Sequence, residues 1–157
     1  MSPSSTPVPS AAAFAHELKA LVPELNAALA EAFRPLGLTC VQADALMALR
    51  RSGPVTLKEL SRLLVAESGH PSRLIGRLES AGLVRRERSP ADGRAVLLSL
   101  TPEGEALAVD AERAREPLVR RFASRYGDEL DAVTAFLRRV RRDLADGLAL
   151  AEAEEST

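Results

Sequence analysis

Tryptophan is absent from this sequence, and the only aromatic side chains are one tyrosine and four phenylalanines. A core made without large rings must rest on leucine, valine and alanine. Alanine and leucine are strong helix formers, so the composition favours a helical fold. Cysteine occurs once, as Cys40, which excludes an internal disulfide and a cysteine-rich zinc site. His16 and His70, with acids scattered around them, form no spaced ligand set, so no metal and no cofactor is expected. No apolar run approaches the ~18–20 residues that cross a bilayer. The opening MSPSSTPVPS lacks the basic start and apolar stretch of a secretion signal. These absences predict a cytoplasmic chain without a membrane partner, beginning with a disordered tail over residues 1–10. No nucleophile–base–acid set, phosphate loop or cofactor fingerprint is visible, which argues against an enzyme.

Charge is present in an uneven pattern. The net charge of the 157-residue chain is −1, which at first argues against a nucleic-acid partner. By segment it is −2 over Met1 to Leu49, +5 over Arg50 to Leu100 and −4 over Thr101 to Thr157. A basic island in an acidic frame is the asymmetry of a DNA-facing module on a neutral scaffold, although a solvated basic face gives the same numbers.

Hydrophobic spacing divides the chain. Phe14, Leu18, Leu21, Leu25, Leu29 and Phe33 recur at steps of three and four, which predicts a helix from about Ala11 that Pro23 kinks or restarts. Pro35 and Gly37 end it. Thr39 with Gln42, and Thr56 with Glu59, read as capping boxes, each opening a helix. The first carries Val41, Ala45, Leu46 and Leu49 and stops at Ser52-Gly53-Pro54. The second, short, places Leu60, Leu63 and Leu64 inside. A further helix is predicted from Ser68 to Ala81, buried through Leu74, Ile75 and Leu78, with Gly82 as its left-handed cap.

Two short helices joined by a turn form a helix-turn-helix pattern. Leu83–Glu87 and Ala95–Leu100 follow as strands around the turn-rich Ser89-Pro90-Ala91-Asp92-Gly93, a hairpin with Arg88 and Arg94 at its tip. Thr101-Pro102-Glu103 opens a helix that Pro117 should bend and Gly127-Asp128 should break. A last helix then carries Leu130, Val133, Phe136, Leu137, Val140, Leu144 and Leu148.

The apolar stripes of the first and last helices exceed what one chain of this size can bury. Pairing them between two copies buries both and sets two reading helices about 34–36 Å apart. Phe14, Leu18, Leu21, Leu130, Val133, Phe136, Val140 and Leu144 are the candidate dimerisation residues. The expected fold is mainly α with a small β-hairpin wing: a winged helix-turn-helix over 38–101, flanked by N-terminal (11–37) and C-terminal (102–150) dimerisation helices, with a frayed tail at 151–157.

From Leu38 to Gly104 the chain resembles the MarR family of bacterial regulators. The stretches LTCVQADALMAL, TLKELSRLL, SRLIGRLESAGLVRR and above all DGRAVLLSLTPEG carry the resemblance. It implies a homodimer that binds double-stranded DNA, with the helix from Ser68 to Ala81 in the major groove and the wing in the adjacent minor groove. Arg94 is then the wing arginine and Asp92 the residue that braces it. The family commonly represses operons and releases DNA on binding a small anionic or phenolic effector, or on cysteine oxidation. The expected effector pocket lies among the first helix, the second helix and the start of the fifth. Gly69-His70-Pro71-Ser72 departs from the Ser-Thr-Val-Thr common in relatives.

On the reading helix Arg73 and Arg77, four residues apart, share a face with Ser72 beside them. An arginine there can grip guanine with two hydrogen bonds. His70 is placed for a base or phosphate contact or for pH sensing. Lys58 and Arg62 are candidate phosphate contacts. Gly76, mid-helix, costs roughly 1 kcal/mol against alanine, and two readings stay open for it: close packing, or closer approach to DNA. Cys40 is the redox candidate, since a helix start lowers a thiol's pKa, against the plainer reading of a small buried side chain. Three functions follow: a ligand-released repressor, a redox-responsive regulator acting through Cys40, and a winged-helix protein-interaction module that no longer binds DNA. The basic wing favours the first.

Overall fold

The computed structural model describes residues 8–64 and 70–155, with side chains described for 10–64 and 70–147. It is mainly helical. The order is α1 (Val8–Phe33), a 3-10 turn (Arg34–Leu36), α2 (Cys40–Ser52), α3 (Leu57–Leu63), α4 (Pro71–Ser80), β1 (Val84–Arg88), β2 (Val96–Leu100) and α5 (Pro102–Glu155). It falls into two compact units, divided between Glu116 and Pro117.

In the first unit the helix ends follow local chemistry. The Thr39 hydroxyl accepts from the Gln42 N–H at 3.3 Å, and the Gln42 side chain accepts from the Thr39 N–H at 3.0 Å. Thr56 and Glu59 repeat this reciprocal cap. Each pair satisfies two backbone donors that a helix start leaves without a partner. Gly37 and Gly53 close the 3-10 turn and α2. The α4 helix ends in a Schellman motif: Leu83 N–H donates to the Leu78 carbonyl and Gly82 N–H to that of Glu79, both at 2.9 Å. The left-handed φ of 72° at Gly82 makes this turn possible.

The core lies between α2 and everything around it. Leu46, Met47 and Leu49 of α2 meet Phe33, Leu60, Ile75, Leu78 and Leu98, all essentially inaccessible. Burying one such side chain is worth about 1.5–3 kcal/mol. Ala108 and Ala111, fully buried, give α5 a small-residue face against this cluster. β1 and β2 pair antiparallel from Val84–Leu100 to Arg88–Val96, and Val55 extends the ladder through a bridge to Leu98. Gly104 lies so close to the Leu83 carbonyl that any side chain there would strike main chain. The base of the hairpin is thereby held against the first turn of α5.

Several expectations are corrected. α1 begins at Val8 rather than Ala11 and runs through Pro23 as one helix. Leu63 is 46% exposed, not inside. α4 is helical from Pro71; Ser68 and Gly69 lie outside the described residues. α5 continues through both Pro117 and Gly127-Asp128 to Glu155, so one helix stands where two were predicted. Extending an existing helix across a single glycine costs about 1 kcal/mol, whereas stopping requires a second nucleation.

The second unit is the remainder of α5. Phe122 and Tyr126 stack in a tilted pair 5.8 Å apart, and Arg139 lies over the Phe136 ring at 5.5 Å.

Candidate nucleic-acid interface

α4 is amphipathic by construction. Leu74, Ile75 and Leu78 turn inward, while Ser72, Arg73, Arg77 and Ser80 are exposed. Pro71 occupies the first turn, where its missing N–H costs nothing. His70 is the N-cap residue without a side-chain cap; its carbonyl accepts from Arg73 and Leu74 N–H instead. Its imidazole is exposed at the helix start. Arg73 and Arg77 make no ion pair with any described residue. Two hollows flank them. A cleft of about 370 Å³ is lined by Thr39, Val41 and Gln42 of the α2 start and by His70, Arg73, Leu74 and Arg77. A shallower groove runs over Arg73, Gly76, Arg77, Ser80 and Ala81.

The hairpin tip is built by its own hydrogen bonds. Asp92 Oδ1 accepts from the Arg94 N–H at 3.0 Å, Asp92 N–H donates to Ser89 Oγ at 3.2 Å, and the Asp92 carbonyl accepts from Ala95 N–H at 3.0 Å. Asp92 is thus placed within the turn, through the main chain of Arg94 rather than its guanidinium. Arg94 makes no ion pair with a described residue, and Arg88 spans the tip by donating from Nη1 to the Gly93 carbonyl at 3.3 Å. Both side chains are exposed.

Not every cation of the basic island is left without an acidic partner. Arg85 Nε donates to Ser99 Oγ at 3.1 Å and lies 3.0 Å from Glu87 Oε1. Arg86 Nε lies 3.0 Å from Glu79 Oε2, joining the wing to α4. These roles were invisible in the sequence, where Arg85 and Arg86 counted only as positive charge. Arg50 was missed as well: Nε lies 2.8 Å from Glu105 and Nη1 3.0 Å from Glu112, so it grips two carboxylates two turns apart on α5. On α3, Lys58 and Arg62 are exposed.

Cys40 is half-buried, and its thiol donates to the Asn26 carbonyl at 3.5 Å. Burial pushes its pKa up, the carboxylate of Asp44 one turn on adds to the rise, and a backbone hydrogen bond only partly offsets them. The lowering expected from its place at a helix start is therefore outweighed. Asp44 itself is pushed up by burial, against the pull of Arg115 and Arg51. Among the described residues no group of three His, Cys, Asp or Glu is placed to hold a metal ion, and no helix is long and apolar enough to cross a membrane.

The candidate dimerisation residues lie on two separate elements. On α1, Phe14 is 40% exposed, Leu21 is exposed and Leu18 half-buried. On α5, Val133, Phe136 and Leu144 are exposed, with Leu144 at 63%, while Leu130 and Val140 are half-buried. The cleft beside α4 draws on the α2 start and α4 alone, and is a different site from the effector pocket expected among the first helix, the second helix and the start of the fifth.

Residues 38–104 match the family model of a winged helix DNA-binding domain. The chain is 31% identical over 108 residues to the HTH-type transcriptional regulator MgrA of Staphylococcus aureus, a match covering 69% of this chain and 73% of that one. Against the first curated relatives the match is shorter, and the chain spans about half of their length. A mutant of MarR from E. coli complexed with operator DNA superposes with a TM-score of 0.71 at 26% identity, covering 86% of this chain and 99% of that one. BpsR of Bordetella bronchiseptica, whose DNA binding is described as regulated by 6-hydroxynicotinic acid, also gives 0.71 at 26% identity, covering 82% and 98%.

Proposed function

The chain belongs to the MarR family of winged-helix transcriptional regulators, a family of regulators and not of enzymes, and from that premise we propose that it is a cytoplasmic repressor which binds a palindromic operator as a homodimer and releases it on binding a small anionic effector. The observation that carries this reading is the pair Arg73 and Arg77, side by side on the exposed face of α4 without an ion pair to any described residue. Arginines left unneutralised on one face of a folded module favour a polyanion, since each phosphate met releases condensed counterions. His70 and Ser72 extend that face, and Arg88 and Arg94 at the wing tip supply a second contact suited to the minor groove, with Asp92 fixing the turn that presents them. Lys58 and Arg62 are phosphate contacts.

The dimer rests on the apolar residues of α1 and α5, which water would otherwise cover: Phe14, Leu18, Leu21, Leu130, Val133, Phe136, Val140 and Leu144. The effector belongs in the cleft between the α2 start and α4. A carboxylate held there by His70, Arg73 and Arg77 competes with DNA for the same cations. Regulation of the DNA binding of BpsR, a similar structure, by 6-hydroxynicotinic acid supports effector control here. The raised pKa of Cys40 favours this reading over redox release.

The test is binding to the promoter DNA beside the chain's own gene at several salt concentrations, for wild type and Arg94→Ala. Saturable binding with a steep negative salt slope, weakened in the variant, is the expected result. Failure to bind that duplex, followed by an empty genome-wide selection of bound fragments, would sink it.

A further inference from the structure

We propose that Gly76 is a specificity-determining position of α4: its missing side chain lets the base edges of a DNA major groove come up to the helix backbone between Arg73 and Arg77. The inference rests on the DNA-binding reading above and adds a residue to it.

A glycine in the middle of a ten-residue helix needs a reason, because it weakens the helix it sits in. Three structural reasons are ordinarily available, and none applies. Gly76 does not have the positive φ that excludes other residues, unlike Gly37, Gly53 and Gly82. Among the described residues no atom outside its own helix turn comes within 4 Å of the place a Cβ would take, so no packing contact there demands its small size. It is also remote from the helix end, which Gly82 caps. The contrast with Gly104 is direct, since there the Leu83 main chain fills the Cβ position.

What surrounds Gly76 is a surface suited to a polyanion. It sits in the groove lined by Arg73, Arg77, Ser80 and Ala81, with a cation before it and another after it on the helix. Two arginines reaching for base edges or phosphates draw the helix into the groove, and the depth reached is set by the tallest group between them. At Gly76 that group is the backbone itself. A methyl there would stand between the helix and the base edges, lengthening the arginine hydrogen bonds that read the sequence. The open space around Gly76 in the free protein is thus space for the partner.

The test compares wild type, Gly76→Ala and Gly76→Ser, with Arg73→Ala and Arg77→Ala as controls. The probe is a duplex selected by the full-length wild-type chain from a random-sequence DNA pool. Gly76→Ala is expected to melt at a higher temperature than wild type, to bind the selected duplex about tenfold more weakly, and to keep its low-salt binding to an unrelated duplex. Gly76→Ser is expected to lose at least as much affinity. A second selection with Gly76→Ala is expected to change the preferred bases at the positions facing this part of α4 and leave the rest. Affinity within threefold of wild type for Gly76→Ala overturns the proposal, as does a lower melting temperature, which would give the glycine a structural role. If Arg73→Ala and Arg77→Ala bind weakly while Gly76→Ala does not, this inference alone fails. If all the variants bind like wild type, α4 is not the reading face and the functional reading fails with it.

Discussion

Arg86 on β1 and Glu79 on α4 lie 3.0 Å apart, so the wing and the candidate reading helix are joined by an ion pair as well as by the turn between them. Both side chains are about two-fifths exposed, and a pair so placed contributes ~0–1 kcal/mol to stability. Its larger effect should be on aim. Glu79→Gln is expected to leave the denaturant midpoint nearly unchanged and to weaken DNA binding several-fold, because the wing loses its fixed relation to α4. A double-mutant cycle with Arg86→Gln, read by DNA affinity, checks this: additive losses would show that the pair does not act as a unit.

Gly104→Ala should be far more damaging than its size implies. The added methyl meets the Leu83 carbonyl and the main chain behind it, which cannot swing aside as a side chain would. The same carbonyl accepts from Thr101 N–H at 3.0 Å, Thr101 Oγ1 donates to the Gly82 carbonyl at 2.6 Å, and Gly104 N–H donates back to Thr101 Oγ1 at 3.0 Å. Moving α5 away breaks this joint. Overpacking of this kind costs about 1–3 kcal/mol, and chemical denaturation should find a loss in that range or above it. A wild-type midpoint would mean that the joint yields freely.

How much of this was legible in the sequence depended on range. The caps at Thr39 and Thr56, the Gly82 terminator and the inward face Leu74, Ile75, Leu78 involve residues a few positions apart, and each was read from spacing alone. The hairpin was read from its turn formers. Arg50 with Glu105 and Glu112 was not, because 55 and 62 residues separate the partners and nothing local marks them. Gly127-Asp128 misled for the opposite reason: its breaking tendency is local, while helix continuity is decided by the strong formers on both sides. At the candidate site, Arg73 and Arg77 were legible from their helical spacing and Arg88 and Arg94 from their place beside the turn, whereas the pairing of Arg85 and Arg86 appears only once Ser99, Glu87 and Glu79 are placed beside them.

The Arg50 grip predicts an ordered series. Its guanidinium presents two donors to two carboxylates, a fork that lysine cannot reproduce. Arg50→Lys should keep one contact and lose part of the stability; Arg50→Ala should lose both, about 1–2 kcal/mol for a part-exposed network. Glu112 is the less exposed of the two acids, so Glu112→Gln should cost more than Glu105→Gln. Urea midpoints of the four variants test the order. Equal midpoints for Arg50→Lys and wild type would show that charge alone, without the fork, makes the link.

Asp44 gives a prediction whose sign can be fixed. Its pKa is raised because burial disfavours the carboxylate more than Arg115 and Arg51 favour it. The folded chain therefore keeps the proton on Asp44 to higher pH than the unfolded chain does. Below the ordinary aspartate range the group is neutral in both states and costs nothing. As pH rises through the unfolded value and then the higher folded value, the charge penalises the fold, and the penalty is complete above that. Asp44→Asn should accordingly be more stable than wild type at neutral pH, with the advantage vanishing by about pH 3. Because Asp44 lies one turn from Cys40 and raises its pKa, the same variant should also speed the reaction of Cys40 with a thiol reagent at neutral pH. Urea midpoints of the two proteins across that pH range decide the first point. A difference that stays constant with pH would mean that Asp44 acts through packing or hydrogen bonding, and its charge would then have no part in the stability of the fold.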